Sequence, residues 1–181
     1  MASSEQHYIL PRPEFDKPTK VLIVISPYYK AIADDLLSGA RAELDAAGAS
    51  HETVEVPGAL EIPAAISIAY RQSNFDGFVA LGCVVRGETT HYETVCNDSS
   101  RAITLLGLEG ASIGNGILTV ENLLQAEVRA NPDKQNKGAG AAAAALHLIA
   151  LSRKWGRSGR EIGFQPEGIQ IAGKAEGPTT A

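Results

Sequence analysis

The sequence predicts one α/β domain, a three-layer α/β/α sandwich around a mainly parallel four-stranded sheet. Two runs, Lys20–Ser26 (KVLIVIS) and Gly77–Val85 (GFVALGCVV), are almost continuously apolar. That is how strands buried on both faces of a parallel sheet read. Segments of helical periodicity separate the strands, and strict alternation of strand and helix implies parallel pairing through right-handed crossovers. A chain of 181 residues suits one domain with a real core.

Residues 1–19 are polar and carry Pro11, Pro13 and Pro18, which reads as an extended N-terminal arm. The strand Lys20–Ser26 follows. Next comes a helix with Ile32, Leu36, Ala40 and Leu44 at i+4 spacing, Leu37 widening the stripe and Gly48 as its stop. Ser50–Val56 alternates and is rich in β-branched residues, a strand broken by Pro57-Gly58. Pro63 sits where a first helical turn tolerates proline, and that helix runs to Arg71. Gly77–Val85 is the third strand. The polar loop Arg86–Thr90 leads into a helix from His91 to Leu106. Ile113–Val120 is the fourth strand and Glu121–Arg129 a short helix. Asn131–Lys137 is a polar turn, and Gly138–Trp155 is a final alanine-rich helix. The domain therefore spans 20–155. The tail, 156–181, holds six glycines and two prolines and is expected to be flexible, although Ile169 and Ile171 suit a short docking strand.

Composition narrows the class. Hydrophobic residues make up 44% of the chain and charged ones 20%, ordinary globular values. No apolar run is long enough for a membrane span, and the N-terminus lacks the basic start and apolar stretch of a secretory signal. A cytoplasmic protein is expected. The net charge of −5, without a basic cluster, disfavours a nucleic-acid partner. Cys83 and Cys96 match neither a zinc nor a redox spacing and read as reduced, buried thiols; Cys96 as a nucleophile is the alternative. His7, His51 and His147 have no metal-ligand spacing, so no metal is expected. The sequon Asn97-Asp98-Ser99 has no use in a cytosolic chain.

Three loops leave the carboxyl ends of strands, where α/β sheets bind ligands: Ser26–Lys30, Val56–Glu61 and Val85–His91. In Arg86-Gly87-Glu88-Thr89-Thr90-His91, open N–H groups at a helix start and threonine hydroxyls make an anion site, and His91 can move protons near neutral pH. A capped helix beside an exposed histidine is the simpler reading of the same residues. Glu61 can accept hydrogen bonds from sugar-alcohol hydroxyls or merely complement a helix dipole. Tyr28 can stack on a planar heterocycle or simply pack. Gly138-Ala139-Gly140-Ala141-Ala142-Ala143 fits a loose dinucleotide pattern but follows a turn rather than a strand, so it is rejected. Its small residues fit close packing against a neighbouring helix, in this chain or another. Gly114-Asn115-Gly116 lacks the third glycine.

Taken together, LLSGA (Leu36–Ala40), VPGALEIP (Val56–Pro63), LGCVVRGETTHYETVCN (Leu81–Asn97), GILTVEN (Gly116–Asn122) and NKG (Asn136–Gly138) resemble the lumazine synthase family. The resemblance covers Lys20–Trp155 and implies a flavodoxin-like fold. It implies a transferase for the penultimate step of riboflavin biosynthesis. Such an enzyme condenses 5-amino-6-(D-ribitylamino)uracil with 3,4-dihydroxy-2-butanone 4-phosphate, giving 6,7-dimethyl-8-ribityllumazine, phosphate and water without a cofactor. Carried over by position, His91 is the proton-transfer residue and Tyr28 the stacking aromatic. Ala59, Leu60 and Glu61 line the ribityl pocket. Cys83, Val84 and Val85 offer backbone groups to the heterocycle, and Glu88 and Thr89 form the phosphate loop. The resemblance implies pentamers with sites between subunits, so Asn115, Arg129 and Lys137 come from the neighbour. Asn115 departs from the family's frequent phenylalanine. Whether pentamers close into an icosahedral shell stays open. A riboflavin synthase is a candidate partner. The rival readings are a riboflavin synthase of related fold and a weakly active duplicate that binds flavin or lumazine or builds a shell.

Overall fold

A computed structural model describes Tyr8 and residues 10–158. The element order is β1 (Lys20–Ile25), α1 (Lys30–Ala46), β2 (Ser50–Glu55), α2 (Glu61–Gln72), β3 (Gly77–Val85), α3 (His91–Leu108), β4 (Ile113–Val120), α4 (Leu123–Ala130) and α5 (Lys137–Ser158). All four strands are parallel in one sheet of order β2-β1-β3-β4. The central strands are buried on both faces, as their apolar runs require. Val21, Ile23 and Ile25 of β1 pack with Leu36, Ala40 and Leu44 of α1 and Ala142, Leu146 and Ile149 of α5. Leu22 and Val24 point the other way, towards Ile62 and Ile66 of α2 and Ile103 of α3. Helices α1, α4 and α5 therefore cover one face, and α2 and α3 the other. Each fully buried aliphatic side chain contributes about 1.5–3 kcal/mol relative to exposure.

Gly48 ends α1 as expected. Its φ of +68° lets its N–H reach the Asp45 carbonyl at 2.9 Å while Ala49 N–H reaches Leu44 at 3.0 Å. These are the two bonds of a Schellman cap. Gly138 is where α5 crosses α1: a Cβ there would stand 2.0 Å from the Leu36 carbonyl oxygen. The small residues at the start of α5 thus serve contact within this chain. The arm lies on the domain through a two-pronged Arg12–Glu43 contact of 2.9 and 2.8 Å and through Phe15, which packs on the core.

Several boundaries differ from expectation by one to three residues, three of them for a visible reason. The short helix α4 starts at Leu123 rather than Glu121, because the Asn122 side chain accepts a hydrogen bond from Gln125 N–H and sets the N-cap there. Lys137 belongs to α5 rather than to the turn, since Asn136 caps that helix through Ala139 N–H at 3.2 Å. At its other end α5 continues through Gly156 to Ser158, a single glycine being a weak stop. The rest of the expected tail, including Ile169 and Ile171, lies outside the described residues. Among the described residues, no helix is long and apolar enough to cross a membrane.

Candidate active site

Strand lengths build the site. Ile25 of β1 pairs with Leu81 of β3, and β1 stops there; β3 runs on to Val85, paired among the described residues only with β4. The flank of β3 that β1 covers as far as Leu81 is therefore open beyond it. Ser26 N–H donates to the Leu81 carbonyl, whereas Arg86 N–H donates to Val120 of β4. In a parallel ladder successive residues turn their backbone groups to opposite neighbours. Cys83 and Val85 consequently direct N–H and C=O to the open flank, and Val84 directs its own to β4.

A cavity of about 400 Å³ occupies this flank. It is lined by Tyr28, Ala59, Leu60, Glu61, Cys83, Val84, Val85 and His91, all singled out from the sequence. Ser26, Tyr29, Gly58 and Val95 complete it. Tyr28 is 73% exposed at the mouth and meets the Tyr29 ring edge-on at 5.1 Å between centroids. Val95 was readable as the residue one turn after His91 on the same helix face. Tyr29 and Ser26 lay in a flagged loop, without a signal that separated them from their neighbours.

Glu61 opens α2, where its carboxylate meets the positive end of the helix. Its oxygen lies 2.7 Å from where a Cβ on Gly58 would be, so Gly58 leaves the space that the carboxylate uses. His91 is the first residue of α3 and is exposed. Thr90 makes no side-chain cap, and Thr89 Oγ1 accepts from His91 N–H only at 3.4 Å. The first turn of α3 therefore keeps N–H groups available to an anion. Glu88 and Thr89 lie on the exposed loop, outside the cavity lining.

The Cys83 thiol is buried, and burial pushes its pKa up to about 11, so it is protonated and unreactive at neutral pH. Burial likewise raises Cys96, which is half-buried rather than buried as expected, because Val95 and Ser99 hold the buried face of this stretch of α3 and Cys96 sits beside it. Among the described residues, no three His, Cys, Asp or Glu side chains converge as a metal site.

Asn115, Arg129 and Lys137 do not reach this cavity. They line a second one of about 450 Å³ beside β4, the edge strand, and the start of α5. Arg129 is braced by the Gln125 carbonyl at 3.0 Å and has no carboxylate in ion-pair range among the described residues. Asn115 Oδ1 accepts from Ile117 N–H at 3.0 Å, so its side chain lies along the sheet edge. One chain thus carries two separate cavities, one with the histidine and the open strand flank, the other with two cations.

Residues 18–153 match the family model described as 6,7-dimethyl-8-ribityllumazine synthase. A protein of that name from Jannaschia sp. is 61% identical over 161 residues, 88% of this chain and 90% of the relative. One from Sphingopyxis alaskensis is 55% identical over 136 residues, 75% of this chain and 96% of the relative. One from Bartonella tribocorum is 54% identical over 145 residues, 79% and 96% of the two chains. With the geometry and these matches in agreement, the chain belongs to the 6,7-dimethyl-8-ribityllumazine synthase family.

Proposed function

We propose that this chain condenses 5-amino-6-(D-ribitylamino)uracil with 3,4-dihydroxy-2-butanone 4-phosphate to 6,7-dimethyl-8-ribityllumazine, releasing phosphate and water. The observation that carries the reading is the cavity in which His91, Glu61 and Tyr28 surround the open end of β3, in a chain whose relatives are named for this product. The pyrimidine stacks on Tyr28, and its polar edge pairs with backbone groups of Cys83 and Val85, Val84 adding its side chain to the wall. The ribityl chain passes Ala59 and Leu60 to the Glu61 carboxylate. The phosphate sits at the first turn of α3, against the backbone of Glu88 and Thr89.

The chemistry needs positioning and protons, and no cofactor. The uracil's 5-amino group attacks the ketone, and loss of water gives an imine. A proton leaves the adjacent carbon, and the C–O bond to phosphate breaks, the phosphate taking the electron pair. The enol tautomerises to a ketone. The ribitylamino nitrogen attacks it, and loss of a second water closes the ring. His91 accepts and returns these protons. Holding both reactants in place can supply about 7–11 kcal/mol in favourable cases.

A phosphate substrate calls for cations, and among the described residues none lines the cavity that holds His91. We infer that a neighbouring subunit supplies Arg129 and Lys137, with Asn115 at the rim in place of an apolar cover. Head-to-tail contact of this kind closes a ring, and a cytoplasmic pentamer is the reading. The exposed apolar side chains Ile68, Leu105 and Leu108 on α2 and α3 fit burial between subunits. A riboflavin synthase, which would consume the product, remains a candidate partner. The test is turnover with both substrates, followed by lumazine absorbance and fluorescence with a chelator present. Product above the uncatalysed rate supports the reaction and its independence of metal. No product from assembled protein refutes it.

A further inference from the structure

Arg86 takes no part in the chemistry above, yet it joins three elements. Its backbone N–H extends the β3–β4 ladder by bonding Val120 O at 2.9 Å. Its guanidinium lies over the Tyr92 ring, 4.2 Å from the centroid. One arm donates to Glu93, and Nε donates to Glu121 at 2.7 Å. Tyr92 and Glu93 are the two residues after His91, in the first turn of α3. Glu121 joins β4 to the Asn122 cap of α4. From there the contacts continue. Glu121 N–H donates to the Gln125 side chain at 3.0 Å, and the Gln125 carbonyl accepts from Arg129 at 3.0 Å. An unbroken path of polar contacts thus runs from the turn that carries His91 to the guanidinium of Arg129.

We propose that Arg86 is a positioning residue that fixes the His91 turn of α3 relative to the Arg129 helix α4, and so holds the chain's two half-sites in one geometry. Three features make it suited to this. A guanidinium is a planar fork, so it can hold two carboxylates at set angles while stacking on a ring; a lysine ammonium cannot do all three. The carboxylates sit on α3 and on the junction between β4 and α4, 28 residues apart in sequence. And the network is solvent-exposed, where ion pairs add little to global stability. Its effect is therefore on geometry more than on melting. The consequence for turnover rests on the proposed function; the placement itself does not.

Two measurements separate these claims. Hydrogen exchange on the assembled protein compares the parent with Arg86→Met. Faster exchange is expected both at 87–94 and at 121–129, with the core strands and the thermal midpoint near those of the parent. Exchange unchanged at 121–129 would overturn the proposal, whether or not the protein turns over its substrates. Steady-state kinetics then reads the consequence. Arg86→Met should lower kcat and raise the butanone phosphate KM, each by roughly ten- to a hundredfold, the scale for misplacing reacting groups by about an ångström. Glu121→Ala, which cuts only the branch to α4, should raise that KM and leave kcat near the parent's. Arg86→Lys should restore neither. An inactive parent with the expected exchange pattern would refute the proposed reaction and leave the positioning role standing. Full rescue by lysine would mean that charge alone suffices, and would overturn it.

Discussion

Gly138 is the position at which a single methyl group tests the packing and the site together. In Gly138→Ala the new Cβ would stand 2.0 Å from the Leu36 carbonyl oxygen and 2.8 Å from its carbon. Both obstacles are backbone of a buried helix, so no side chain can swing aside. Restoring ordinary contact needs α5 and α1 to part by roughly an ångström or more, because carbon and oxygen repel steeply inside about 3.4 Å. Overpacking of this kind costs about 1–3 kcal/mol, more where the neighbours are rigid. Alanine's better helix propensity offsets at most about 1 kcal/mol. The clash wins, by about 2 kcal/mol. For a domain of this size each kcal/mol moves the midpoint by about 2–4 °C, so a fall of roughly 4–8 °C is expected by calorimetry at fixed protein concentration. The start of α5 should move outward with Lys137, raising the butanone phosphate KM more than the uracil KM. A midpoint at or above the parent's would refute the reasoning, since it would mean that the helix crossing has slack.

Three more outcomes are expected. His91→Ala should lower kcat by about 10²–10⁴-fold, the usual worth of a general acid–base group, while light scattering shows an unchanged assembly; an unchanged rate removes His91 from the mechanism. Arg129→Ala should raise the butanone phosphate KM by roughly ten- to a hundredfold, since hydrogen bonds to charged groups are worth about 1.5–3 kcal/mol; a loss confined to the uracil's affinity would move the phosphate elsewhere. Cys83 should resist iodoacetamide at pH 7, its labelling rising with pH as the thiol approaches its pKa of about 11. Because that value is raised on folding, the folded state holds the proton longer than the unfolded chain. Stability should therefore fall as pH climbs through the window between the ordinary thiol range and about 11. Rapid labelling at pH 7 would contradict the burial.

The sheet was legible because its central strands are buried on both faces. Gly77–Val85 and Ile113–Val120 were read with the bounds that the structure has; in Gly77–Val85 the unbroken apolar run leaves no polar face to blur the ends. Strand order was not readable, because it depends on how the crossovers pack rather than on any segment's own pattern. The start of α4 was misread although its cap, Asn122, was in plain view; periodicity was followed where capping chemistry decides. Eight candidate residues meet in the first cavity because three strand ends bring their loops together. The separation of Asn115, Arg129 and Lys137 into a second cavity also fits the family resemblance, although one chain's periodicity could not have suggested it. The Arg86 bridge was invisible for a related reason. Residues 86, 93 and 121 become neighbours only when β3 and β4 pair in register.

The proposed function requires one working site to take His91 from one chain and Arg129 from its neighbour. Co-assembling His91→Ala with Arg129→Ala chains tests it most directly. Each variant alone should be nearly inactive with limiting butanone phosphate. In an equal, randomly mixed ring with head-to-tail interfaces, about a quarter of the sites would combine an intact histidine with an intact arginine. Activity should therefore recover to roughly that fraction of the parent's. If the mixed assembly stays as inactive as its parts, the two half-sites do not meet across subunits, and the composite site is wrong.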